Sequence, residues 1–147
     1  MIAMSGLIKR YAGRDVSRNA VNGISFEVPD GHLFTLLGPS GCGKTTTLRM
    51  IAGLERPDAG TITIGGTRVF DAAKGIAVPA NRRQIGMVFQ SYAIWPHMTV
   101  FANVAFPLTV GGGKPPKDEI EEKTLCALEL VGLREYASRS ATALSGG

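Results

Sequence analysis

Eight consecutive residues, Gly38-Pro39-Ser40-Gly41-Cys42-Gly43-Lys44-Thr45, match the pattern G-x-x-x-x-G-K-[ST]. The chemistry of that spacing is the holding of a polyphosphate. Glycines let backbone N–H groups turn inward around a dense anion, and a helix starting at the end of the loop adds partial positive charge. Lys44 is then placed to reach the β- and γ-phosphates of ATP. The Thr45 hydroxyl is placed to meet a Mg²⁺ ion that bridges them, and Thr46 stands beside the same phosphates. With Gly at about 7% of average composition, the four fixed positions coincide by chance in roughly one chain in a few hundred of this length, so the pattern is specific. Cys42 carries two readings. It is a small residue that fits a tight loop, or a thiol made reactive by the helix N-terminus, in which case thiol reagents inhibit.

A cradle of this kind has to lie between a strand and a helix, and the flanking patterns supply both. Residues 24–28 alternate apolar and polar, Pro29-Asp30-Gly31 makes a turn, and residues 33–37 (Leu-Phe-Thr-Leu-Leu) read as a second, more fully buried strand. Residues 44–52 carry Leu48, Ile51 and Ala52 at helical spacing and stop at Gly53. Further on, residues 61–64 and 68–70 flank Gly65-Gly66 as an antiparallel hairpin, and residues 85–89 form another strand that ends at Gln90. From Thr99 onward the patterns are helical. Thr99 is an N-cap for a short helix carrying Val100, Val104 and Leu108, with Pro107 near its end. After a Gly- and Pro-rich loop at 111–116, residues 117–131 form an amphipathic helix with Ile120, Ala127, Leu128 and Val131 on one face, and Gly132 stops it.

The bulk numbers narrow the class. The 147 residues are one domain's worth, and 44% hydrophobic with 19% charged residues is an ordinary globular composition. Apolar runs last only a few residues, far short of the ~20 that cross a bilayer, and the N-terminus has no secretion signal, which sets a cytoplasmic expectation. Cys42 and Cys126 fit neither a metal site nor a disulfide framework and read as reduced thiols. The net charge of +4 is scattered, with Arg82-Arg83 the one arginine pair, so it reads as a solvated surface and not a nucleic-acid footprint. His32 and His97 have no partner at metal spacing and read as ordinary side chains.

Three more features stand in order around the loop. Leu144-Ser145-Gly146-Gly147 is similar to the start of the L-S-G-G-Q signature of ABC ATPases, Gln90 resembles the Q-loop glutamine, and Tyr11 resembles the aromatic that stacks on adenine. With the phosphate loop they identify residues 11–147 as similar to that family. The resemblance implies an α/β P-loop NTPase of ABC type with an antiparallel β subdomain and the start of an α-helical subdomain. It divides the chain at about 1–91 and 92–147, with the C-terminal part of the core absent. It also implies two such subunits packed head to tail, with Ser145, Gly146 and Gly147 facing the partner's γ-phosphate, and Gln90 approaching Mg²⁺ and the attacking water. Residues 88–100 look especially like importers of polyamines, ferric iron, sulfate or maltose-type sugars. In these, a coupling helix of the membrane permease docks just after the Q-loop and a substrate-binding protein delivers the cargo. Trp95, Pro96, His97 and Met98 are then either the permease-facing surface or, for Trp95 and Met98, packing residues of the helical part. The implied location is peripheral, on the cytoplasmic face of the inner membrane.

The family also needs an apolar strand ending in Asp-Glu and a later His that senses the γ-phosphate. Neither is in the sequence: Asp118-Glu119 follows Lys117 and two prolines, with no buried strand leading into it. The expectation is therefore a piece of a longer subunit that binds nucleotide without turning it over. Two other classes share the loop. A small-molecule or nucleotide kinase would want an Arg-bearing lid and gives no reason for residues 144–147. An ABC ATPase acting on DNA or ribosomes would carry long insertions, whereas the span from Lys44 to Gln90 is compact.

Overall fold

A computed structural model describes residues 1–11, 19–90, 93–110 and 113–144. The chain divides into two compact units, residues 1–87 and 88–147.

The first unit is an antiparallel sheet with one helix. Strands β1 (Ile2–Lys9), β2 (Val21–Val28), β3 (Ala59–Ile64), β4 (Thr67–Asp71) and the short β5 (Ile76–Ala77) line up in the order β2-β1-β3-β4-β5. Ile2 sits opposite both Val28 and Ile64, which places β1 between β2 and β3. The expected hairpin is present, its turn made by Gly65 and Gly66 at φ 54° and 80°, the two left-handed positions that such a two-residue turn demands. Met4, Leu7, Val21, Ile62, Val69 and Phe70 form the buried face. Helix α1 (Lys44–Ala52) closes it by burying Met50 and Ile51. The helix has the boundaries read from the sequence, with Gly53 in the left-handed conformation behind it and its N–H returned to Met50 O.

The strands expected at 33–37 and 85–89 do not form. Both stretches lack ladder hydrogen bonds among the described residues, although each keeps the alternation of a strand. Leu36 is half-buried and Phe34 stacks on Phe26 with ring centroids 4.7 Å apart, while Leu33 and Leu37 are 96% and 94% exposed. Likewise Ile85 and Met87 face inward and Val88 is 97% exposed. The fuller burial expected of residues 33–37 is therefore not found. A strand is defined by its hydrogen-bonding neighbours, and neither stretch finds one here.

The second unit holds α2 (Val100–Thr109) and α3 (Lys117–Leu130). Thr99 caps α2 as expected, its Oγ1 accepting from Ala102 N at 3.1 Å. The other open N–H groups of that first turn are satisfied from afar, Val100 N donating to Arg139 O and Phe101 N to Ala137 O. The face expected on the second helix is corrected. It buries Ile120, Thr124 and Leu128, an i, i+4, i+8 stripe in which Thr124 is made neutral to burial by donating to Ile120 O. Ala127 lies on the same side of the helix but is exposed, and Val131 is 66% exposed because the helix ends at Leu130 and Gly132 turns the chain at φ 69°. Asp118 and Glu119 occupy the first turn of α3, where negative charge suits the helix dipole.

Candidate functional site

Residues 38–43 wrap the N-terminal end of α1. Gly43 is its N-cap at φ 96°, and a Cβ there would lie 2.3 Å from the Ala20 carbonyl oxygen, so both backbone angle and space require glycine. Among the described residues no side chain caps the helix, and its first turn carries no acid. The N–H groups of that turn therefore remain donors for an outside acceptor, in a place where the helix dipole favours an anion. Lys44 Nζ donates to Gly38 O at 2.7 Å and Pro39 O at 2.8 Å, and lies 3.6 Å from Cys42 Sγ. The ammonium is thus folded over the loop's own carbonyls, weak acceptors for a cation that a phosphate oxygen can replace. Gly41 bends the loop at φ 79°, and Ser40 and Thr45 are exposed beside it, with Thr46 half-buried on the next position of the helix. A cavity of about 330 Å³, lined by Asn19, Ala20, Val21, Cys42, Gly43 and Lys44 among others, joins this loop to the start of β2.

Thr45 suits a magnesium ion in one respect. Among the described residues no three His, Cys, Asp or Glu side chains gather as an all-protein cage. A hydroxyl on the first turn of a phosphate-binding helix fits an ion held in part by phosphate oxygens and water.

The far end of α1 is held by a residue that the sequence reading counted only as surface charge. Arg83 is 5% exposed. Its Nη1 donates to Met50 O at 2.7 Å and Ile51 O at 2.8 Å, and its Nε donates to Val78 O at 2.8 Å. It pairs with no carboxylate among the described residues, and burial lowers its pKa. A guanidinium on the last carbonyls of α1 complements the helix dipole at the end opposite the phosphate loop. Gly53 makes room for it, since a Cβ there would meet Arg83 Nε at 2.5 Å.

Tyr11 follows β1 and is half-exposed, with the Lys9 ammonium 5.2 Å from its ring centroid. Lys9 and Glu55 pair at 2.6 Å, which raises the Lys9 pKa and lowers that of Glu55, each chiefly through their shared hydrogen bond. Neither partner was singled out from the sequence, because nothing in a lone Lys or Glu marks it. Gln90 is exposed and lies in the second unit, outside any strand. Ser145, Gly146 and Gly147 lie outside the described residues. Trp95 is half-exposed and packs on Phe106 with ring centroids 5.4 Å apart. Its backbone is tied to Asn103, which accepts from Trp95 N at 2.7 Å and donates to Trp95 O at 3.1 Å. Met98 is half-buried, while Pro96 and His97 are exposed. Both cysteines are free and exposed. No helix among the described residues is long and apolar enough to cross a membrane.

Comparison with known proteins agrees with this arrangement. The family model described as ABC transporter matches residues 21–147. The chain is 56% identical over 128 residues to the trehalose/maltose import ATP-binding protein MalK of Thermococcus litoralis, covering 87% of this chain and 34% of that protein. It is 46% identical over 147 residues to the spermidine/putrescine import ATP-binding protein PotA of Aliivibrio fischeri, covering 100% of this chain and 36% of that protein. The chain thus spans about a third of the length of these curated relatives. Among solved structures it resembles the dimeric, ADP- and phosphate-bound post-hydrolysis state of the ATP-binding cassette MJ0796. The TM-score is 0.83 at 27% identity, covering 99% of this chain and 64% of that one.

Proposed function

The chain belongs to the ABC transporter family, and from that premise we propose that it is the nucleotide-binding part of an ATPase subunit that drives solute import through a membrane permease. The observation that carries this is the start of α1: open N–H donors, no acidic side chain in the first turn, and a lysine whose acceptors among the described residues are the loop's own carbonyls and thiol. That is a receptor for a polyphosphate.

In this reading the N–H groups of residues 41–46 take the phosphate oxygens, and Lys44 leaves the Gly38 and Pro39 carbonyls for the β- and γ-phosphates. Thr45 offers its hydroxyl to Mg²⁺, which when bound neutralises charge on the same phosphates. Tyr11 stacks on the base. Gln90 takes the role of the glutamine that meets the ion and the attacking water, and Ser145, Gly146 and Gly147 close over the ATP of a second, head-to-tail subunit. The import names of the relatives and the dimeric cassette support these partners, with polyamines and maltose-type sugars as the leading cargo classes and a substrate-binding protein acting upstream. Residues 95–98 are the proposed permease-facing surface, which puts the subunit at the cytoplasmic face of the membrane as a peripheral protein.

The test is ATP binding by the full gene product that carries these residues, alone and with Lys44→Ala. The expected result is a micromolar-to-millimolar dissociation constant that weakens by about 100-fold or more in the variant. Equal affinity in the two proteins, or none in either, removes the proposal. Import of labelled spermidine or maltose by the same protein, reconstituted with its permease, then separates the cargo classes.

A further inference from the structure

The setting of Tyr11 contains more than a half-exposed ring. Lys9 Nζ is pinned at two points, by the Glu55 carboxylate at 2.6 Å and by the Arg56 carbonyl at 2.8 Å, and its side chain is only 11% exposed. The same ammonium lies 5.2 Å from the centroid of the Tyr11 ring. One residue earlier, Arg10 N donates to Asp58 Oδ2 at 2.6 Å while Asp58 N donates to Ile8 O at 2.8 Å. The turn at 55–58 therefore grips the end of β1 through both backbone and side chains. That turn is in its own right continuous with α1, because Leu54 N and Glu55 N both donate to Arg49 O.

We propose that Lys9 and Glu55 are positioning residues that fix the Tyr11 ring as a platform for the nucleotide base, with the ammonium backing the ring. The inference rests on the nucleotide reading above and adds to it the groups that make an exposed tyrosine rigid. A free surface tyrosine would lose rotamer entropy on stacking, and a ring already backed by a pinned cation has less to lose. The ammonium also engages the ring electrostatically, an interaction that strengthens when the cation is partly desolvated, as Lys9 is. The fold thus links base and phosphate recognition along α1, from the loop to its C-terminal turn and on to Lys9.

The experiment compares Mg-ATP with Mg-tripolyphosphate, which offers the phosphates without the base, on the full gene product. Lys9→Met and Glu55→Gln are each expected to weaken ATP about 5-fold while leaving tripolyphosphate unchanged. Retained tripolyphosphate binding shows that the variants are folded. Lys9→Arg is expected to restore most of the ATP affinity, and Lys9→Met in a Tyr11→Leu background to add almost nothing. ATP affinity indifferent to both substitutions, or ATP and tripolyphosphate weakened alike, overturns the positioning role. Wild-type protein that binds ATP no better than tripolyphosphate overturns the base platform, and protein that binds neither overturns the nucleotide reading beneath it.

Discussion

The loop at residues 38–45 is assembled from consecutive residues and works with its backbone, whereas the setting of Tyr11 joins the Lys9 side chain to the Arg56 carbonyl, 47 residues away, and to the Glu55 side chain, bringing together the end of β1 and the turn after α1. The two lie at opposite ends of one physical chain of contacts that runs along α1. Each is therefore vulnerable in its own way. A backbone site fails when a glycine is lost, because the conformation itself becomes unavailable. A side-chain site fails by degrees, as one polar partner after another is removed.

Gly43→Ala should have the largest effect. Its φ of 96° and the 2.3 Å approach of a Cβ to Ala20 O combine left-handed strain with a backbone clash that no side chain can relieve. We expect loss of measurable ATP binding, by about 100-fold or more, accompanied by about 3 kcal/mol of destabilisation. Gly41→Ala sharpens the comparison: its φ of 79° is similar, but a Cβ there meets nothing within 4 Å, so it should cost only about 1 kcal/mol and retain binding. Calorimetric titration with ATP reads both. Equal losses in the two variants would mean that backbone angle alone sets the loop and that contact with Ala20 is irrelevant.

Arg83→Met comes next and probes the helix between the two sites. It strips a charged donor from the buried carbonyls of Met50 and Ile51 and the partly buried one of Val78, and leaves the end of α1 unsatisfied. About 3 kcal/mol of stability should go, against less than about 0.5 kcal/mol for Arg82→Met at the exposed neighbour. Denaturant midpoints of the two variants check this. Similar midpoints would show that the buried guanidinium contributes no more than surface charge.

That pair also marks what the sequence made legible. Arg82-Arg83 looks like one patch of charge, yet only the second residue is buried, and burial depends on where the chain returns, which no local pattern encodes. By contrast α1 was readable to its last residue, because Gly43 and Gly53 punctuate it and each has a backbone angle only glycine adopts readily. The phosphate loop was legible for the same reason. Thr99 was legible as a cap because its partner lies three residues away. The stretches at 33–37 and 85–89 were legible as apolar, strand-like segments but not as unpaired ones, nor was the exposure of Leu33 and Leu37, since pairing and burial depend on neighbours distant in sequence. Val131 was misplaced because the helical period was run one residue past its stop, and Thr124 was overlooked because its hydroxyl, satisfied by Ile120 O, lets a polar residue occupy an apolar stripe.

The smallest predicted effect concerns the acid limb of the Lys9–Glu55 pair. The hydrogen bond from Lys9 holds the Glu55 carboxyl below its ordinary value of 4.5, and the same bond holds Lys9 above 10.5. For Glu55 the folded pKa is the lower one, so its contribution is complete above 4.5 and is lost as pH falls through the folded value. For Lys9 the folded pKa is the higher one, so its contribution is complete below 10.5 and is lost as pH rises beyond the folded value. Between these limits the pair contributes a pH-independent increment. Thermal unfolding followed from pH 7 down to pH 3 should therefore show the wild-type melting temperature falling more steeply than that of Glu55→Gln once the pH passes below 4.5. The two curves should run parallel from pH 5 to pH 8. Because Glu55 is a quarter exposed and the solvent screens it, the separation should amount to a few degrees at most. Parallel curves across the whole acid range would mean that the carboxylate beside Tyr11 is held no more tightly in the folded chain than in water. The platform would then be set by ring packing and not by the ion pair.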